Sequence, residues 1–469
     1  MPTEPSKLLR VLGLREGISI HMGVIIGSGI FLVPATIAGH LHAMGPIMIV
    51  WIVAGLLTLF GALSLAELSA VLPEAGGPYV YLRHSFGRIW GFLFSWNDFF
   101  INKAGSAAAI AVAFATYLGY FVPALHPSNV FFRTSLEMLG GSFEISFGWV
   151  QLVGVATIAA VTLINLRGVL LGGWVMNIFT SAKVLALLAI IVAAAVSSTG
   201  RSANFLPWWP DKWDGGMTAA FGLAMISALW AYDGWIDVTL AAGEFRDPKR
   251  TVPLSLLIGT LAVIGLYLAA NLAYAYVIPL SVMPGSPRIA ADVAHAVFGP
   301  VGASLVAIGI MCSTFGATNG MLLGGPRSMY AAGVDGAFSP KFGAVHPKFH
   351  TPNTAIATLG VWGAILTLSG TYDQITSYVV FGSWGFYALT ALSVIVLRRK
   401  LPDAPRPYKA WGYPYATLLF VAIAGWFLYN TLVNDTRNAA IGIVLLLVSL
   451  PFYFYWTRWH SHTPESGPK

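Results

Sequence analysis

The chain is a succession of long apolar runs separated by charged residues, Pro and Gly, and this feature leaves few folds open to it. A membrane-spanning α-helix needs roughly 20 predominantly apolar residues. Only 10% of the 469 residues are charged, whereas soluble domains carry about 25%. We therefore predict an all-α membrane protein with twelve transmembrane helices. The predicted spans cover residues 17–39, 46–72, 88–122, 148–166, 174–197, 218–243, 253–278, 300–332, 353–369, 373–397, 413–433 and 438–457.

The basic residues predict how these helices are oriented. Lys and Arg are enriched in the cytoplasmic loops of membrane proteins. With both termini in the cytoplasm, 19 of the 26 Lys and Arg residues fall on the cytoplasmic side and five on the outer side. This predicts a multi-pass protein of the cell (inner) membrane with cytoplasmic tails at residues 1–16 and 458–469. It also explains the net charge of +7 without a nucleic-acid partner.

Two segments between the spans are predicted to be more than simple connections. Residues 73–87 are too polar to cross a membrane and too aromatic for a free linker, which predicts a short re-entrant or interfacial helix. Residues 281–298 are amphipathic and fall on the predicted outer side. They form either a short helix over the extracellular mouth or an ordinary loop.

The first and sixth predicted spans each contain a sequence that interrupts a helix. Gly27, Ser28 and Gly29 lie in the middle of the first, and each Gly costs a helix about 1 kcal/mol relative to Ala. The sixth contains Ala231–Gly234 near its middle, with the carboxylate of Asp233. Backbone that leaves the helical pattern must line a cavity or be buried in protein. One Gly-x-Gly more often marks close helix packing, but two interruptions at matching positions predict a binding site.

Spans 1 and 6 hold equivalent places in two sets of five, which predicts a five-plus-five inverted repeat over residues 17–400, followed by two additional helices over residues 401–457. The N–H groups that begin the outer half of span 1 form a positive helix end suited to a carboxylate. Main-chain carbonyls at the breaks suit an ammonium group. Together they predict a site for the head group of an α-amino acid. The predicted binding residues are Ile25, Gly27, Ser28, Gly29, Ile30, Trp230, Ala231, Asp233 and Gly234.

A few ionisable residues lie within the predicted spans, where an unpaired charge costs about 3 kcal/mol or more. Lys183, near the middle of span 5, is predicted to hydrogen-bond free carbonyls of span 1, in the place where a sodium-coupled carrier would bind its ion; a packing ion pair is the alternative. Asp233 either serves the substrate or caps the broken helix, and Asp237 is a weaker candidate. Lys103, five residues after Asp98, is expected to pair with a polar group of a neighbouring helix.

The sequence contains no motif of a catalytic or ATP-hydrolysing site. HExxH, GxSxG and GxxxxGK[S/T] do not occur, and the single cysteine, Cys312, offers neither a disulfide framework nor a zinc site. We therefore predict a transporter without cofactor or metal rather than an enzyme. A channel is the alternative, although channels more often show a repeated pore-loop filter.

Four motifs occur in the order and spacing of a known family: IIGSGIF in span 1, AELSAVLPEAGGPYVY from Ala66, AYDGW from Ala231 and GEFRDPKRTVP from Gly243. On these motifs the chain resembles the amino acid-polyamine-organocation superfamily over nearly its whole length. FTSAK, which ends at Lys183, makes it most similar to the L-type amino acid transporter family in a bacterial form. The resemblance implies the inverted-repeat fold, alternating access by spans 1, 2, 6 and 7 against a scaffold, and sodium-independent exchange of amino acids.

The resemblance also implies roles for individual residues. The break residues named above would hold the carboxylate and amine, Lys183 would stand in for the sodium of related carriers, and Ser383 and Trp384 in span 10 would border the pocket. Trp230 stands where many relatives have Phe, and Ile236 where some have Asn, so the side-chain preference is open.

We expect exchange of neutral L-amino acids, with a proton-coupled permease or a permease for cationic amino acids or polyamines as the alternative. Asp233 and Asp237 favour this alternative if both face the pocket. Residues 123–147 contain no Cys, which excludes the disulfide to a glycoprotein heavy chain that eukaryotic members form. The transporter is therefore expected to act without such a partner.

Overall fold

The computed structural model describes residues 8–126, 129–138, 141–286, 288–369, 372–434 and 436–460, and within them the chain is mostly helical. Residues 1–7 and 461–469 of the predicted tails lie outside this part. The α-helices are α1 (Leu14–Ile25), α2 (Gly29–Leu41), α3 (Met44–Val71), α4 (Pro78–Phe86), α5 (Arg88–Trp96), α6 (Ala104–Leu118), α7 (Trp149–Leu166), α8 (Val169–Val196), α9 (Gly215–Ala231), α10 (Asp237–Leu240), α11 (Pro248–Val277), α12 (Ile289–Gly324), α13 (Pro326–Val334), α14 (Asn353–Ser369), α15 (Tyr372–Lys400), α16 (Tyr415–Asn434), α17 (Thr436–Leu447) and α18 (Ser449–His460).

The described part of the chain contains seven helices that are long and apolar enough to cross a membrane, counting the two halves of an interrupted helix as one. They are Leu14–Leu41, Met44–Val71, Arg88–Leu118, Trp149–Leu166, Val169–Val196, Pro248–Val277 and Ile289–Val334. Shorter apolar helices include Gly215–Ala231 and Asn353–Leu368. The prediction of a helical membrane protein is confirmed, whereas the number of twelve spans and the inverted repeat stay predictions.

The outer surface of the bundle is apolar, as a lipid-facing surface must be. On α8, the side chains of Trp174, Leu185 and Val196 are 63%, 64% and 81% exposed. Contiguous apolar surface of this kind is unfavourable in water and favourable in hydrocarbon. The exposed side chains of α8 therefore support a bilayer as the solvent of this helix.

Helices 1, 3 and 6 each contain a stretch that departs from regular α-helical geometry. Helix 1 consists of α1 and α2, which residues 26–28 separate, and helix 6 consists of α9 and α10, which residues 232–236 separate. Helix 3 consists of α5, a π-helical turn at Asn97–Lys103, and α6. π-helical turns are rare and occur frequently at functional sites. All three irregular stretches lie in the interior of the bundle.

The packing places the two interruptions side by side. The helix α1 packs against α8, α11 and α12, while α2 packs against α9. The helix α6 packs against α12 and α15. Helix 1 is thus enclosed by helices from distant parts of the chain. Ile26 lies in the break of helix 1, Ile30 follows that break, and Ile236 lies in the break of helix 6. All three residues are fully buried.

The connecting segments contain elements that the sequence predicted and one that it did not. Residues 78–86 form α4, which confirms a short helix within 73–87. Residues 289–298 are the helical start of α12, before Gly299 with φ +69°, so the helical alternative for 281–298 is confirmed in part. The unpredicted element is an antiparallel β-hairpin of Val130–Met138 and Gly141–Gly148.

Candidate functional site

The first break interrupts helix 1 at residues 26–28. The last regular N–H···O bond of α1 joins Ile26 N to Met22 O (2.8 Å), and Gly27 N then donates to Ile25 O (2.8 Å) in a tight turn. The helix α2 restarts at Gly29 with Ser28 as its N-cap. The first N–H groups of a helix have no carbonyl one turn before them. The start of α2 therefore presents main-chain donors to the interior of the protein.

The second break interrupts helix 6 at residues 232–236. The helix α9 ends at Ala231, and the chain then turns through Gly234, whose φ of +94° is unfavourable for any residue with a Cβ. The short helix α10 begins at Asp237. At the end of α9, Tyr232 N donates to Ala228 O and Asp233 N donates to Trp230 O, both at 3.1 Å, while Ala231 O lies 3.0 Å from the hydroxyl of Tyr267 on α11.

The two breaks are in direct contact, and glycine is required where they meet. A Cβ built on Gly29 would lie 2.7 Å from Ala231 Cα and 2.8 Å from Ala231 Cβ. Any side chain at Gly29 would therefore push the breaks apart. Between them lies a small cavity of about 30 Å³. Its wall consists of Val24, Ile25, Gly27, Ser28, Gly29, Ser106, Ile110, Trp230, Ala231, Asp233 and Met321.

Most of the residues predicted for the site lie in this wall. They are Ile25, Gly27, Ser28, Gly29, Trp230, Ala231 and Asp233. Among the described residues, the other predicted positions, Ile30, Gly234, Ser383 and Trp384, are not part of the wall. Ile30 is fully buried, Gly234 lies against Val24, and Trp384 stacks on Phe420 at a centroid distance of 5.8 Å.

Lys183 of α8 lies beside the first break and is fully buried. Its ammonium group donates hydrogen bonds to the main-chain oxygens of Gly23 (2.8 Å), Ile26 (2.7 Å) and Ser313 (3.0 Å). The Ser313 hydroxyl lies 3.0 Å from Ile26 O and 3.1 Å from Gly27 O and donates to this pair. Carbonyls that α1 leaves unpaired at its end are thus bound to a cation and a hydroxyl from two other helices.

Tyr267 of α11 bridges the two breaks, and the sequence interpretation missed it. Its hydroxyl lies 3.0 Å from Ile25 O and 3.0 Å from Ala231 O. One hydroxyl carries one proton, so it satisfies one of these carbonyls at a time. A tyrosine inside an apolar span needs a polar partner, and this requirement was the signal in the sequence that could have identified it.

Asp233 is held from α15 rather than by a cation. The Tyr387 hydroxyl donates to Asp233 Oδ1 (2.7 Å), and the Asn102 amide lies 3.4 Å from the same hydroxyl. Asp237, one turn beyond Asp233, is outside the cavity wall and forms an ion pair with Lys103. Lys103 thus pairs with a polar group of a neighbouring helix, as expected from the sequence.

These features define a class of protein. Two apposed breaks in apolar helices expose main-chain donors and acceptors to one small interior cavity, which is the arrangement of a helical membrane transporter and not of an enzyme. A family model described as amino acid permease matches residues 12–450, so the chain belongs to the amino acid permease family. The resemblance to the amino acid-polyamine-organocation superfamily is confirmed by this match.

Similar proteins include transporters and exchangers of amino acids from mammals and bacteria. The b(0,+)-type amino acid transporter 1 of Mus musculus is 30% identical, over 96% of this chain and 88% of its own length. The serine/threonine exchanger SteT of Bacillus subtilis is 28% identical, over 97% of this chain and 98% of its own length. The human cystine/glutamate transporter is 28% identical, over 97% and 87%.

Proposed function

We propose that the protein is a sodium-independent exchanger of neutral L-amino acids that works by alternating access. The observation that carries this proposal is the meeting of two helix breaks at one cavity, with Lys183 bonded to the carbonyls of the first break. The names of the similar proteins, which include a serine/threonine exchanger and a cystine/glutamate transporter, support amino acid exchange.

The head group of the substrate would bind to main-chain atoms. The N–H groups at the start of α2 suit the carboxylate, because a helix N-terminus is positive and has free donors. The carbonyls of Ile25 and Ala231 suit the ammonium group. The Tyr267 hydroxyl lies within hydrogen-bond distance of both carbonyls and donates to one of them at a time. A carbonyl oxygen has two lone pairs, so both carbonyls keep the capacity to accept from the substrate.

Lys183 would make sodium unnecessary. A sodium ion in a broken-helix carrier is coordinated by main-chain carbonyls of the unwound segment. In this protein a fixed ammonium group binds Gly23 O and Ile26 O instead. The charge is covalently attached and cannot leave with the substrate, which supports exchange rather than sodium-driven uptake.

The cavity wall supports a neutral side chain. Ile110, Trp230 and Met321 contribute apolar surface to it. Asp233 is the acidic residue of the wall, and its Oδ1 accepts a hydrogen bond from Tyr387. A cation in the side-chain position would compete with Tyr387 for this carboxylate.

We propose the fold of the family for this chain: twelve spans, a five-plus-five inverted repeat over residues 17–400, two additional helices, and both termini in the cytoplasm.

The fully buried ion pair of Arg327 with Glu244, at 2.7 Å and 3.2 Å, joins the start of α13 to the chain after α10. Because Glu244 lies on the chain just after α10, we assign this ion pair to the inner gate, which would open as helix 6 moves.

The second candidate is a permease for cationic amino acids or polyamines, with or without proton coupling. Asp233 in the cavity wall is the observation that favours it. Competition separates the two candidates: lysine and putrescine should leave the uptake of labelled serine, alanine or leucine unchanged if the substrate is neutral. Strong inhibition by lysine would instead support the cationic permease.

The exchange itself is tested with purified protein in proteoliposomes. Liposomes loaded with unlabelled amino acid should take up labelled serine or alanine at least about tenfold faster than empty liposomes. The reason is that the binding site of an exchanger changes from one side of the membrane to the other only when substrate is bound. Equal uptake by loaded and empty liposomes would contradict exchange and favour a uniporter or a proton-coupled permease.

A further inference from the structure

A cluster of buried ionisable residues lies beside the cavity without being part of its wall. Asp98 and Lys103 belong to the π-helical turn of helix 3, and Asp237 is the first residue of α10. All three side chains are 0% exposed. Lys103 Nζ forms an ion pair with Asp237 and lies 3.8 Å from Asp98 Oδ1. The cluster therefore contains two carboxyl groups and one ammonium group.

The π-helical turn is what brings two members of this cluster together. Residues five apart are rotated by about 140° on an α-helix of 3.6 residues per turn. In a π-helix the main-chain bonds run between residues five apart, so Asp98 and Lys103 come to one side of helix 3. A regular α-helix with this sequence would separate them.

Titratable groups from three elements face Asp98, and Lys103 is the cation among them. Asp233 and Asp237 face it from helix 6, Tyr387 from α15, and Lys103 from its own helix. Lys103 is therefore a cation that several carboxyl groups share. If Asp98 and Asp237 were both ionised, the cluster would carry a net negative charge in an interior without solvent.

Asp98 and Asp237 differ in their hydrogen bonding. Neither Oδ1 nor Oδ2 of Asp98 has a hydrogen-bond partner among the described residues. An ionised carboxylate in that position is so unfavourable that it takes up a proton instead. Asp237 differs, because its Oδ1 accepts from the Lys103 ammonium group, although its Oδ2 also has no partner among the described residues. The carboxyl group that lacks a donor is the one that suits a bound proton.

We propose that Asp98 is a proton-binding site, occupied while Lys103 is paired with Asp237, as in this structure. When α10 moves away from helix 3, Lys103 loses Asp237, and the Asp98 carboxyl becomes its partner. The O–H bond of Asp98 then breaks, the proton passes to water, and the Asp98 carboxylate pairs with the Lys103 ammonium group. The movement of α10 rests on the proposed function, whereas the bound proton does not.

Infrared spectroscopy of the purified full chain tests the bound proton directly. A protonated carboxyl group has a carbonyl band above the frequency of carboxylates, and we expect this band to decrease by one carboxyl equivalent in Asp98→Asn at pH 7. It should decrease equally in Asp237→Asn, because Lys103 then pairs with an ionised Asp98. It should gain one equivalent in Lys103→Met, where both acids become neutral. An unchanged band in Asp98→Asn would overturn the proposal.

Two measurements keep this test decisive. Asn has the shape of a protonated Asp, so Asp98→Asn should elute as a monodisperse peak in size-exclusion chromatography. If it does not, the wild-type protein alone decides the test, because absence of the infrared band at pH 7 excludes a protonated Asp98.

Wild-type exchange should fall by up to about tenfold per pH unit above the midpoint, the slope for one proton. Asp98→Asn should exchange more slowly than the wild type and should not show this fall. Exchange that is absent at every pH contradicts the proposed function, whereas an identical pH profile in Asp98→Asn contradicts the proton site.

Discussion

The two breaks present the same difficulty, unpaired main-chain groups within a membrane protein, but different neighbours meet it. At the first break, Lys183 and Ser313 from α8 and α12 bond directly to main-chain carbonyls. At the second break, the Tyr267 hydroxyl lies 3.0 Å from Ala231 O, and two other polar neighbours contact acidic side chains: Tyr387 donates to Asp233, and Lys103 pairs with Asp237.

This difference indicates separate tasks for the two breaks. A lysine that is bonded to main-chain oxygens is held at a fixed position, because no acid among the described residues competes for it at close range. A lysine that is shared between carboxyl groups can change partners and so can respond to movement or to a proton. The first break is therefore suited to anchoring the substrate head group, and the second break to motion.

The largest expected effect is at the first break. Lys183→Ala should reduce exchange about a hundredfold or more, because each lost hydrogen bond from a charged donor to a buried carbonyl costs about 1.5–3 kcal/mol. Exchange in proteoliposomes measures the effect, and Lys212→Ala, at an exposed position outside the helices, is the matched control. Near-normal exchange in Lys183→Ala would reduce this lysine to a packing residue.

The contact between the breaks gives the next largest effect. Gly29→Ala places a Cβ against Ala231, and overpacking of this kind costs about 1–3 kcal/mol, or roughly tenfold to a hundredfold in exchange rate. Gly265→Ala is the control, because a Cβ there meets nothing within 4 Å. Equal rates for the two variants would show that the breaks separate easily and would weaken the comparison.

Tyr267 connects the breaks, so its hydroxyl should matter to both. Tyr267→Phe should lower exchange about fivefold, the equivalent of about 1 kcal/mol for one hydrogen bond. Tyr415→Phe, whose parent side chain is 81% exposed, is the control. If Tyr267→Phe raises the KM and leaves the maximal rate unchanged, the hydroxyl positions the carbonyls for substrate; a change confined to thermal stability would leave it only a structural role.

The smallest effect is expected at the carboxylate of the second break. Tyr387→Phe should lower the exchange of neutral amino acids only about twofold to threefold, because Asp233 loses one donor. It should also make lysine a better inhibitor, since the carboxylate becomes available to a cation. Tyr429→Phe, on the exposed side of α16, controls for loss of a hydroxyl. Unchanged lysine inhibition would argue against a side-chain position near Asp233.

The sequence predicted features that depend on local composition and missed those that depend on distant contacts. The helices, both breaks and the buried position of Lys183 follow from apolar runs, Gly content and the cost of charge in lipid. Tyr267 and Tyr387 come to the breaks from α11 and α15, and single-span patterns carry no information on such pairings. The π-helical turn at Asn97–Lys103 was missed because nothing in NDFFINK distinguishes it from an α-helix.

The resemblance to a family also placed some residues beyond the cavity wall. Ser383 and Trp384 were expected to border the pocket, but Trp384 packs on Phe420 and Phe427. Tyr387, one turn further along α15, is the residue that reaches Asp233. The role of Ser383 and Trp384 at the pocket stays a prediction.

The central claim is that Lys183 replaces a sodium ion at the first break, and the sodium dependence of exchange tests it most directly. Exchange of labelled serine or alanine in loaded proteoliposomes should be the same, within about twofold, in sodium chloride and in choline chloride, because the ammonium group already binds the carbonyls that would coordinate the ion. Exchange that is lost in choline chloride and restored by sodium would contradict the account.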